Sequence, residues 1–468
     1  MQANELMKSW DLRPDGVRFS LSHRMEEGRG EGRNCVRPGL EGTADAKGPP
    51  SLRDLESVTR DPSVETLGYS QSSLRDSRLC IAYCKVWGLK RLIHKTAGHV
   101  YLFVFGLWLS TLPAQTTTLA AEERGTPAPQ HVLTTLLAGG GTELTGVATN
   151  CRLHSPFAVD SDDKGNIYIA EMAGGERVLM VDPRGMLTVL AGTGEKGDSG
   201  DGGPAIQARF NGMHSLALGP PGELFIADTL NSRVRRIDLA TKKVFSFAGT
   251  GKRGFSGDGG PAMSAQFGNI YCIAFDARRE NVYLADLDNR RIRAVHLTTG
   301  IVTTVAGNGQ KGVPRDGELA INAPLVDPRA VAVDSKGSIY ILERSGHALR
   351  MVERNGKIRT VAGTGSKGFA GDGGDALKAT FNGPKHLCLE SNGDVIIADT
   401  DNHVIRNYIA KGGRIAGVAG TGRSGSGAVG GDPGSLELNQ PHGVHVDRSG
   451  NLYIADSLNN RVIKIHPN

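Results

Sequence analysis

The feature that most constrains the fold is a segment that recurs six times at a nearly constant interval. Each copy is a short apolar run that ends in an acidic residue, and the copies end at Glu171, Asp228, Asp286, Glu343, Asp399 and Asp456. The intervals between these residues are 57, 58, 57, 56 and 57 positions. A constant period of this length is typical of a repeat architecture, in which each repeat forms one supersecondary unit.

Each repeat contains four strand-like runs separated by turn residues. In the last repeat, "PHGVHVD" (residues 441–447) is followed by "NLYIAD" and "NNRVIKI", and a fourth run such as "KIRTVAG" (residues 357–363) ends the other repeats. Four short strands per repeat are typical of one propeller blade. The last repeat stops before any fourth run, whereas "VLTTLLAGG" (residues 132–140) stands alone ahead of the first repeat. We therefore predict an all-β, six-bladed β-propeller of four-stranded blades, closed by an N-terminal strand that completes the last blade.

The same residues resemble a known repeat. The segment "PHGVHVDRSGNLYIADSLNNRVIKI" closely resembles the NHL repeat, and the glycine-rich linkers resemble the long-period form of bacterial NHL propellers. The resemblance covers residues 132–468 and is matched six times, and it implies a six-bladed β-propeller. It implies no particular activity, because this scaffold serves binding proteins and enzymes alike.

The glycine-rich linkers contain a motif that elsewhere binds nucleotides. "AGTGEKGDSGDGGPA" (residues 191–205) includes G-x-G-x-x-G, and related copies begin at Ala248, Ala306, Ala362 and Ala419. A dinucleotide fingerprint occurs once, between a strand and a helix whose N-terminus faces the pyrophosphate. Here each copy follows a β-branched run and leads to another strand-like run. We therefore interpret the linkers as repeated turns and not as nucleotide sites.

The residues ahead of the repeats are divided by composition. Residues 1–85 show no periodicity and balance 13 Lys and Arg against 13 Asp and Glu, so we interpret them as a disordered or mis-called extension. Residues 86–121 place the basic "LKRLIHK" before the apolar "VYLFVFGLWL" and the small residues of "TLAAEE", an order typical of a secretory signal peptide or signal anchor. Residues 122–131 are a linker to the propeller at 132–468. We predict an extracytoplasmic protein, periplasmic or secreted, that contacts a membrane only through an uncleaved anchor.

Charge and cysteine content exclude two other classes. The chain after Ala121 carries 38 Lys and Arg against 36 Asp and Glu, so it gives no electrostatic reason to expect a nucleic acid partner. The six cysteines form no C-x-x-C pair and no dense framework, and we expect a fold that does not depend on disulfides. We also expect a monomer.

An acid–arginine spacing recurs in the repeats and predicts structural pairs. The pairs are Asp228 with Arg233, Asp286 with Arg291 and Asp456 with Arg461. Catalysis needs one group and not one in each blade, so we interpret them as intrablade bridges beside an Asx turn. The linkers also offer Asp201 and Asp258 as calcium ligands, but one acid among glycines supplies too few of the six to eight oxygens that calcium takes.

One position differs in every repeat and is the candidate site. Counting 15 residues back from each repeated acid gives the residue that opens the first strand, and the residues that follow it are Phe157, His214, Cys272, Arg329, Lys385 and His442. First strands line the channel of a propeller, so we expect this column to ring one mouth of the channel. The column is polar and cationic, and it predicts a ligand-binding site made by His214, Cys272, Arg329, Lys385 and His442.

Two chemistries fit this column. Arg329 and Lys385, aided by the two histidines, suit a protein partner or a small anion such as a carboxylate or a sugar acid. Alternatively, "MHSLAL" and "PHGVHVD" are similar to the segments that supply zinc ligands in the peptidyl-hydroxyglycine lyases, where three His come from alternate blades. Here Arg329 stands between His214 and His442 in that order, and Arg is not a zinc ligand.

Gluconolactonase-like propellers use a carboxylate-rich calcium centre, and the column contains no acid. We predict an exported, non-enzymatic binding propeller without a cofactor. The alternative is a metal-dependent lyase or hydrolase in which His214 and His442 bind zinc or calcium.

Overall fold

The computed structural model describes residues 133–467. The predicted extension, signal segment and linker, residues 1–131, lie outside the described residues. Within 133–467 no helix is long and apolar enough to cross a membrane. The cysteines of this part, Cys151, Cys272 and Cys388, are free thiols.

The described chain consists of strands joined by turns and by single turns of 3-10 helix. The strands are β1 (Thr134–Gly139), β2 (Gly146–Val147), β3 (Pro156–Ser161), β4 (Ile167–Glu171), β5 (Val178–Val181), β6 (Met186–Ala191), β7 (Ser215–Leu218), β8 (Glu223–Asp228), β9 (Arg233–Asp238), β10 (Lys243–Ala248), β11 (Ile270–Phe275), β12 (Asn281–Asp286), β13 (Arg291–His296), β14 (Val302–Ala306), β15 (Pro328–Val333), β16 (Ile339–Glu343), β17 (Ala348–Val352), β18 (Ile358–Ala362), β19 (His386–Leu389), β20 (Val395–Asp399), β21 (Val404–Ile409), β22 (Arg414–Ala419), β23 (Pro441–Val446), β24 (Leu452–Asp456) and β25 (Arg461–Ile465). The 3-10 turns are Ala148–Asn150, Ala205–Gln207, Thr229–Asn231, Ala262–Ser264, Ala376–Lys378, Thr400–Asn402, Pro433–Ser435 and Ser457–Asn459.

These strands form six antiparallel sheets, which are the blades of a propeller. Blade one holds β3 to β6, blade two β7 to β10, blade three β11 to β14, blade four β15 to β18 and blade five β19 to β22. Blade six holds β23 to β25 and takes β1 as its fourth strand. The first strand of each blade contacts that of the next, and β23 contacts β3, so the six inner strands enclose one channel. The predicted all-β, six-bladed propeller is confirmed.

The two ends of the described chain meet in blade six. Strand β1 pairs antiparallel with β25, with Thr134 opposite Ile465 and Ala138 opposite Val462. The hydroxyl of Thr134 accepts hydrogen bonds from the Gly430 and Gly431 amides at 3.0 and 3.2 Å. Closure leaves neither chain end as an unpaired sheet edge.

The core lies between neighbouring blades and follows the period of the strands. Side chains alternate along a strand, so one face of each sheet meets the next blade. The middle apolar residue of every second strand is fully buried: Ile169, Ile226, Leu284, Ile341, Ile397 and Ile454. Each such side chain contributes about 1.5–3 kcal/mol through burial.

The glycine-rich linkers form an extra edge on the blades. In blade two, the Gly202 amide donates to Val244 O at 2.7 Å, the Val244 amide donates to Gly203 O at 3.1 Å, and the Ala205 amide donates to Lys242 O at 2.8 Å. The linkers before blades three, four and five bond in the same way to β14, β18 and β22, and β2 covers β6 in blade one. The outer strand of these blades is therefore covered by a short segment of backbone.

The amides that would cradle a phosphate are already used within the linker. The Gly192 amide donates to Ala205 O at 2.9 Å, and the Gly197 amide donates to Phe210 O at 3.0 Å. These bonds hold the linker in the conformation that covers the blade. The motif therefore serves the fold in each repeat.

Buried arginines tie the linkers to the blades, but the predicted pairing is only partly correct. Arg461 Nε lies 2.7 Å from Asp456 Oδ2, as predicted, and Arg233 Nε lies 3.7 Å from Asp228 Oδ2.

In blade three the predicted Asp286–Arg291 bridge is wrong. Arg291 directly follows a turn and donates to Asn289 O and Asn308 O at 2.9 and 2.8 Å. Arg293, two residues further into the strand, is fully buried and lies 3.9 Å from Asp286 and 2.7 Å from Asp258. Asp258 therefore binds an arginine instead of standing as a metal ligand, and Asp201 does the same with Arg235, at 2.7 Å.

Candidate functional site

Six inner-strand residues meet at one end of the channel, and we call them the mouth ring. The mouth ring consists of Phe157, His214, Tyr271, Arg329, Lys385 and His442. Phe157 stacks on His442 with ring centroids 3.8 Å apart and contacts the edge of His214 at 5.2 Å. His214 contacts Tyr271 at 4.6 Å, and the Arg329 guanidinium lies 3.9 Å above the Tyr271 ring. Five of the six side chains therefore form one continuous series of ring contacts.

Tyr271 takes the place that the sequence assigned to Cys272. Ile270 pairs with Asp286 in the same way that Pro441 pairs with Asp456, so the residue after Ile270 faces the mouth. The turn over residues 276–281 is one residue longer than the equivalent turn over 447–451, and counting back from Asp286 therefore missed by one. Cys272 is buried, with its Sγ 3.6 Å from Val331 O, and burial raises the pKa of this thiol to about 11.

The mouth ring is more buried than a solvated rim would be. Arg329 is 6% exposed, Lys385 8% and His442 4%. A buried cation is costly unless an opposite charge or a hydrogen-bond acceptor compensates it. Lys385 Nζ lies 3.6 Å from Asp401 Oδ1 at the edge of the ring, and the ring itself contains two cations and no acid. The mouth of the channel is therefore a positively charged environment of low polarity.

The two histidines of the ring are neutral and share one orientation. His214 Nδ1 lies 2.8 Å from Gly212 O, and His442 Nδ1 lies 3.1 Å from Gln440 O. A carbonyl oxygen accepts, so each Nδ1 carries the hydrogen and each Nε2 keeps a lone pair. Burial lowers the pKa of both imidazoles well below the ordinary range, and the positive charges of Arg329 and Lys385 lower it further.

The donor set of the ring does not fit the zinc site of a lyase. A catalytic zinc takes three protein ligands, and the ring offers two imidazole nitrogens with Arg329 in the third place. Among residues 133–467, no group of three or more His, Cys, Asp and Glu side chains is arranged to hold a metal ion.

A second set of channel residues was missed by the sequence reasoning. Three residues further along each inner strand stand Asp160, Ala217, Ala274, Ala332, Cys388 and His445, which we call the far ring. Three residues of a strand advance about 10 Å, so the far ring lies deeper along the channel. It also breaks the repeat, and reading this second column across the alignment would have revealed it.

Comparisons with known proteins agree with this architecture. The teneurin NHL domain model matches residues 262–370, and the NHL repeat model matches residues 438–465. Chicken (Gallus gallus) NHL repeat-containing protein 2 is 24% identical over 337 residues, covering 54% of this chain and 46% of that protein. The chloroplastic protein SUPPRESSOR OF QUENCHING 1 of Arabidopsis thaliana is 27% identical over 286 residues, covering 58% of this chain and 26% of that protein. The chain thus spans less than half the length of these relatives.

Solved structures share the fold at low sequence identity. An auxiliary nutrient binding protein of Bacteroides ovatus superposes with a TM-score of 0.53 at 16% identity, covering 72% of this chain and 77% of that one. A Bacteroides thetaiotaomicron protein of unknown function gives 0.53 at 15% identity, covering 71% and 75%. Together with the repeat matches and the six four-stranded blades, these comparisons identify the chain as a member of the NHL-repeat β-propeller family.

Proposed function

We propose that this chain is an exported, monomeric binding propeller that takes a carboxylate-bearing ligand at the mouth ring. The observation that carries the proposal is the pairing of two buried cations, Arg329 and Lys385, with two neutral imidazoles at one channel end. The proposal assigns no catalytic step to the mouth ring.

The chemistry of the ring defines the ligand in two parts. The guanidinium of Arg329 and the ammonium of Lys385 are donors without acceptor capacity, and both suit a carboxylate. The Nε2 atoms of His214 and His442 are acceptors, because their Nδ1 hydrogens are bonded to backbone carbonyls. The matching ligand therefore carries a carboxylate together with hydroxyl or amide N–H groups. A sugar acid and an acidic segment of a protein partner both have this chemistry.

Isothermal titration calorimetry tests the proposal and separates the two sources of the ligand. We expect galacturonate to bind and galactose, which lacks the carboxylate, to bind about tenfold more weakly or not at all. An acidic peptide that binds while galacturonate does not would assign the site to a protein partner.

Two variants assign binding to the ring. Arg329→Met and Lys385→Met should each weaken binding by about tenfold or more, since each removes a charge-assisted hydrogen bond. Arg236→Met on the outside of blade two is the matched control and should bind like the original chain. Equal binding by all three variants, or no binding of either probe, would contradict the proposal.

Export is a separate part of the proposal. It is supported by the order of basic, apolar and small residues in 86–121. Mass spectrometry of the protein from its native source should find an N-terminus after this segment. Peptides from residues 1–85 in the native protein would contradict the assignment.

A further inference from the structure

The far ring divides the channel into a polar half and an apolar half. Blades five, six and one contribute Cys388, His445 and Asp160, and blades two, three and four contribute alanines. In a ring of six, those two groups of three face each other across the axis. The polar side chains of the far ring therefore face methyl groups, the smallest side chains that a residue other than glycine can present.

Within the polar half, three side chains form a hydrogen-bonded series. Ser161, at the end of β3, places its Oγ 2.7 Å from His445 Nε2. On the other side of the imidazole, His445 Nδ1 lies 3.3 Å from Asp160 Oδ1. The series runs from hydroxyl to imidazole to carboxylate and joins blades one and six.

The carboxylate is held in place by the backbone. The Ser161 amide donates to Asp160 Oδ1 at 2.7 Å, and the Leu218 amide donates to Asp160 Oδ2 at 2.8 Å. Both donors favour the ionised carboxylate. Asp160 then accepts from His445 Nδ1–H, which leaves Nε2 free to accept the hydroxyl hydrogen of Ser161.

This arrangement assigns three roles that recur in nucleophilic catalysis. A hydroxyl nucleophile bonds to a general base, and an acid orients the base from its other nitrogen. The side chains of His445 and Asp160 are 21% and 18% exposed, so a reagent can reach the series. The aromatic ring of Tyr453 lies parallel to the imidazole, with centroids 6.1 Å apart, and limits its rotation.

We propose that Ser161 is a nucleophile activated by His445 and Asp160, forming a site for ester cleavage that is separate from the mouth ring. In the reaction, Ser161 Oγ bonds to the acyl carbon while His445 Nε2 takes the hydroxyl proton. The bond from that carbon to the leaving oxygen breaks, and the leaving alcohol takes the proton from His445. Water then attacks the acyl-serine, with His445 as base again, and releases a carboxylic acid.

A fluorophosphonate probe on the full chain tests this assignment directly. Oγ bonds to phosphorus, the P–F bond breaks, and fluoride leaves while the hydroxyl proton passes through His445 to solvent. We expect a labelled peptide that contains Ser161 and no label there in Ser161→Ala. His445→Gln should slow labelling by about 100-fold or more, because it removes the general base. Ser449→Ala, in an exposed turn of blade six, is the matched control and should label like the original chain.

A second variant keeps the test independent of probe size. Ser161→Cys places a thiol beside His445, and iodoacetamide should alkylate it faster at pH 7 than it alkylates the thiol of the His445→Gln double variant. The competing explanation is a structural link between blades one and six. Labelling of Ser161 no faster than of Ser449, or labelling that does not change in His445→Gln, would overturn the nucleophile assignment in favour of that link.

Discussion

Ala138, in the first strand of the described chain, lies opposite Val462, in the last. Their pairing joins two segments that are more than 300 residues apart in the sequence into one sheet. The stability of the ring therefore depends on a short N-terminal strand as much as on the repeats themselves. Four predictions follow from this closure and from the buried groups around the channel.

The hydroxyl of Thr134 is the first point to test. It accepts from two glycine amides and lies 3.1 Å from Gly431 O. Thr134→Val keeps the shape but leaves these buried backbone groups unpaired, so we expect the free energy of unfolding to fall by about 1–3 kcal/mol. Urea denaturation measures the loss. Thr135→Val, on the exposed face of the same strand, is the control and should change it by less than about 0.5 kcal/mol.

The guanidinium of Arg235 is the second point. It is fully buried and contacts Asp201, Ser199 O at 2.9 Å and Arg209 O at 2.7 Å. Arg235→Met leaves these acceptors unpaired, and we expect a loss of about 3–5 kcal/mol in the free energy of unfolding. Arg236→Met removes a more exposed ion pair with Glu223 and should cost less than about 1 kcal/mol. Equal losses in the two variants would show that the buried arginine does not hold the linker.

Gly443 is the third point, because the inner strands of blades six and one approach closely there. A Cβ at this position would lie 2.8 Å from Ala158 Cα and 2.8 Å from Phe157 O. Gly443→Ala should therefore lower the free energy of unfolding by about 1–3 kcal/mol through overpacking. Gly431→Ala is the control, since a Cβ there meets no atom within 4 Å. Thermal unfolding of the two variants compares them, and a Gly443→Ala chain as stable as the control would contradict the close approach.

His386 is the fourth point and makes stability depend on pH. Its Nδ1 accepts from the Val444 amide at 3.4 Å, and burial, with the positive charges of Arg329 and His445, lowers its pKa to about 4. The folded pKa lies below the unfolded value of about 6.5, so the neutral form is favoured by folding. Its stabilising contribution is complete above pH 6.5 and is lost as the pH falls toward 4.

His386→Asn keeps an acceptor oxygen and removes this titration. Between pH 7 and pH 4, the original chain should lose about 2–3 kcal/mol more than the variant, measured by urea denaturation at each pH. His296→Asn, at the outer end of β13, is the control and should follow the original chain. Parallel pH profiles for His386→Asn and the original chain would show that the imidazole does not titrate as assigned.

The sequence was sufficient for the architecture because every blade repeats the same local signals. The six acids, the four runs per repeat and the isolated run at 132–140 predict the blades and the closing strand, and the structure confirms them. The function of the glycine-rich linkers did not follow from the motif. Their bonds to Val244 and its equivalents join segments about 40 residues apart, and no local pattern encodes that pairing.

The site was predicted in part, and its errors have local causes. Counting at a fixed interval placed Cys272 in the ring, although the interval of 58 that ends at Asp286 already contained the extra turn residue. The alternation of strands could not tell Arg291 from Arg293, because both point to the same face. The series of Ser161, His445 and Asp160 depends on contact between the first and last blades, which the sequence does not show without the closed ring.

The covered blade edges also limit how a partner can bind. Many proteins recognise a peptide by β-augmentation, in which the peptide joins an open sheet edge as a further strand. Here the outer strand of blade two already bonds to residues 202–205 of its own chain, and the other blades carry similar short covers. An incoming peptide would have to displace this backbone before it could add to a blade. Recognition is thereby directed away from the circumference and toward the two openings on the propeller axis.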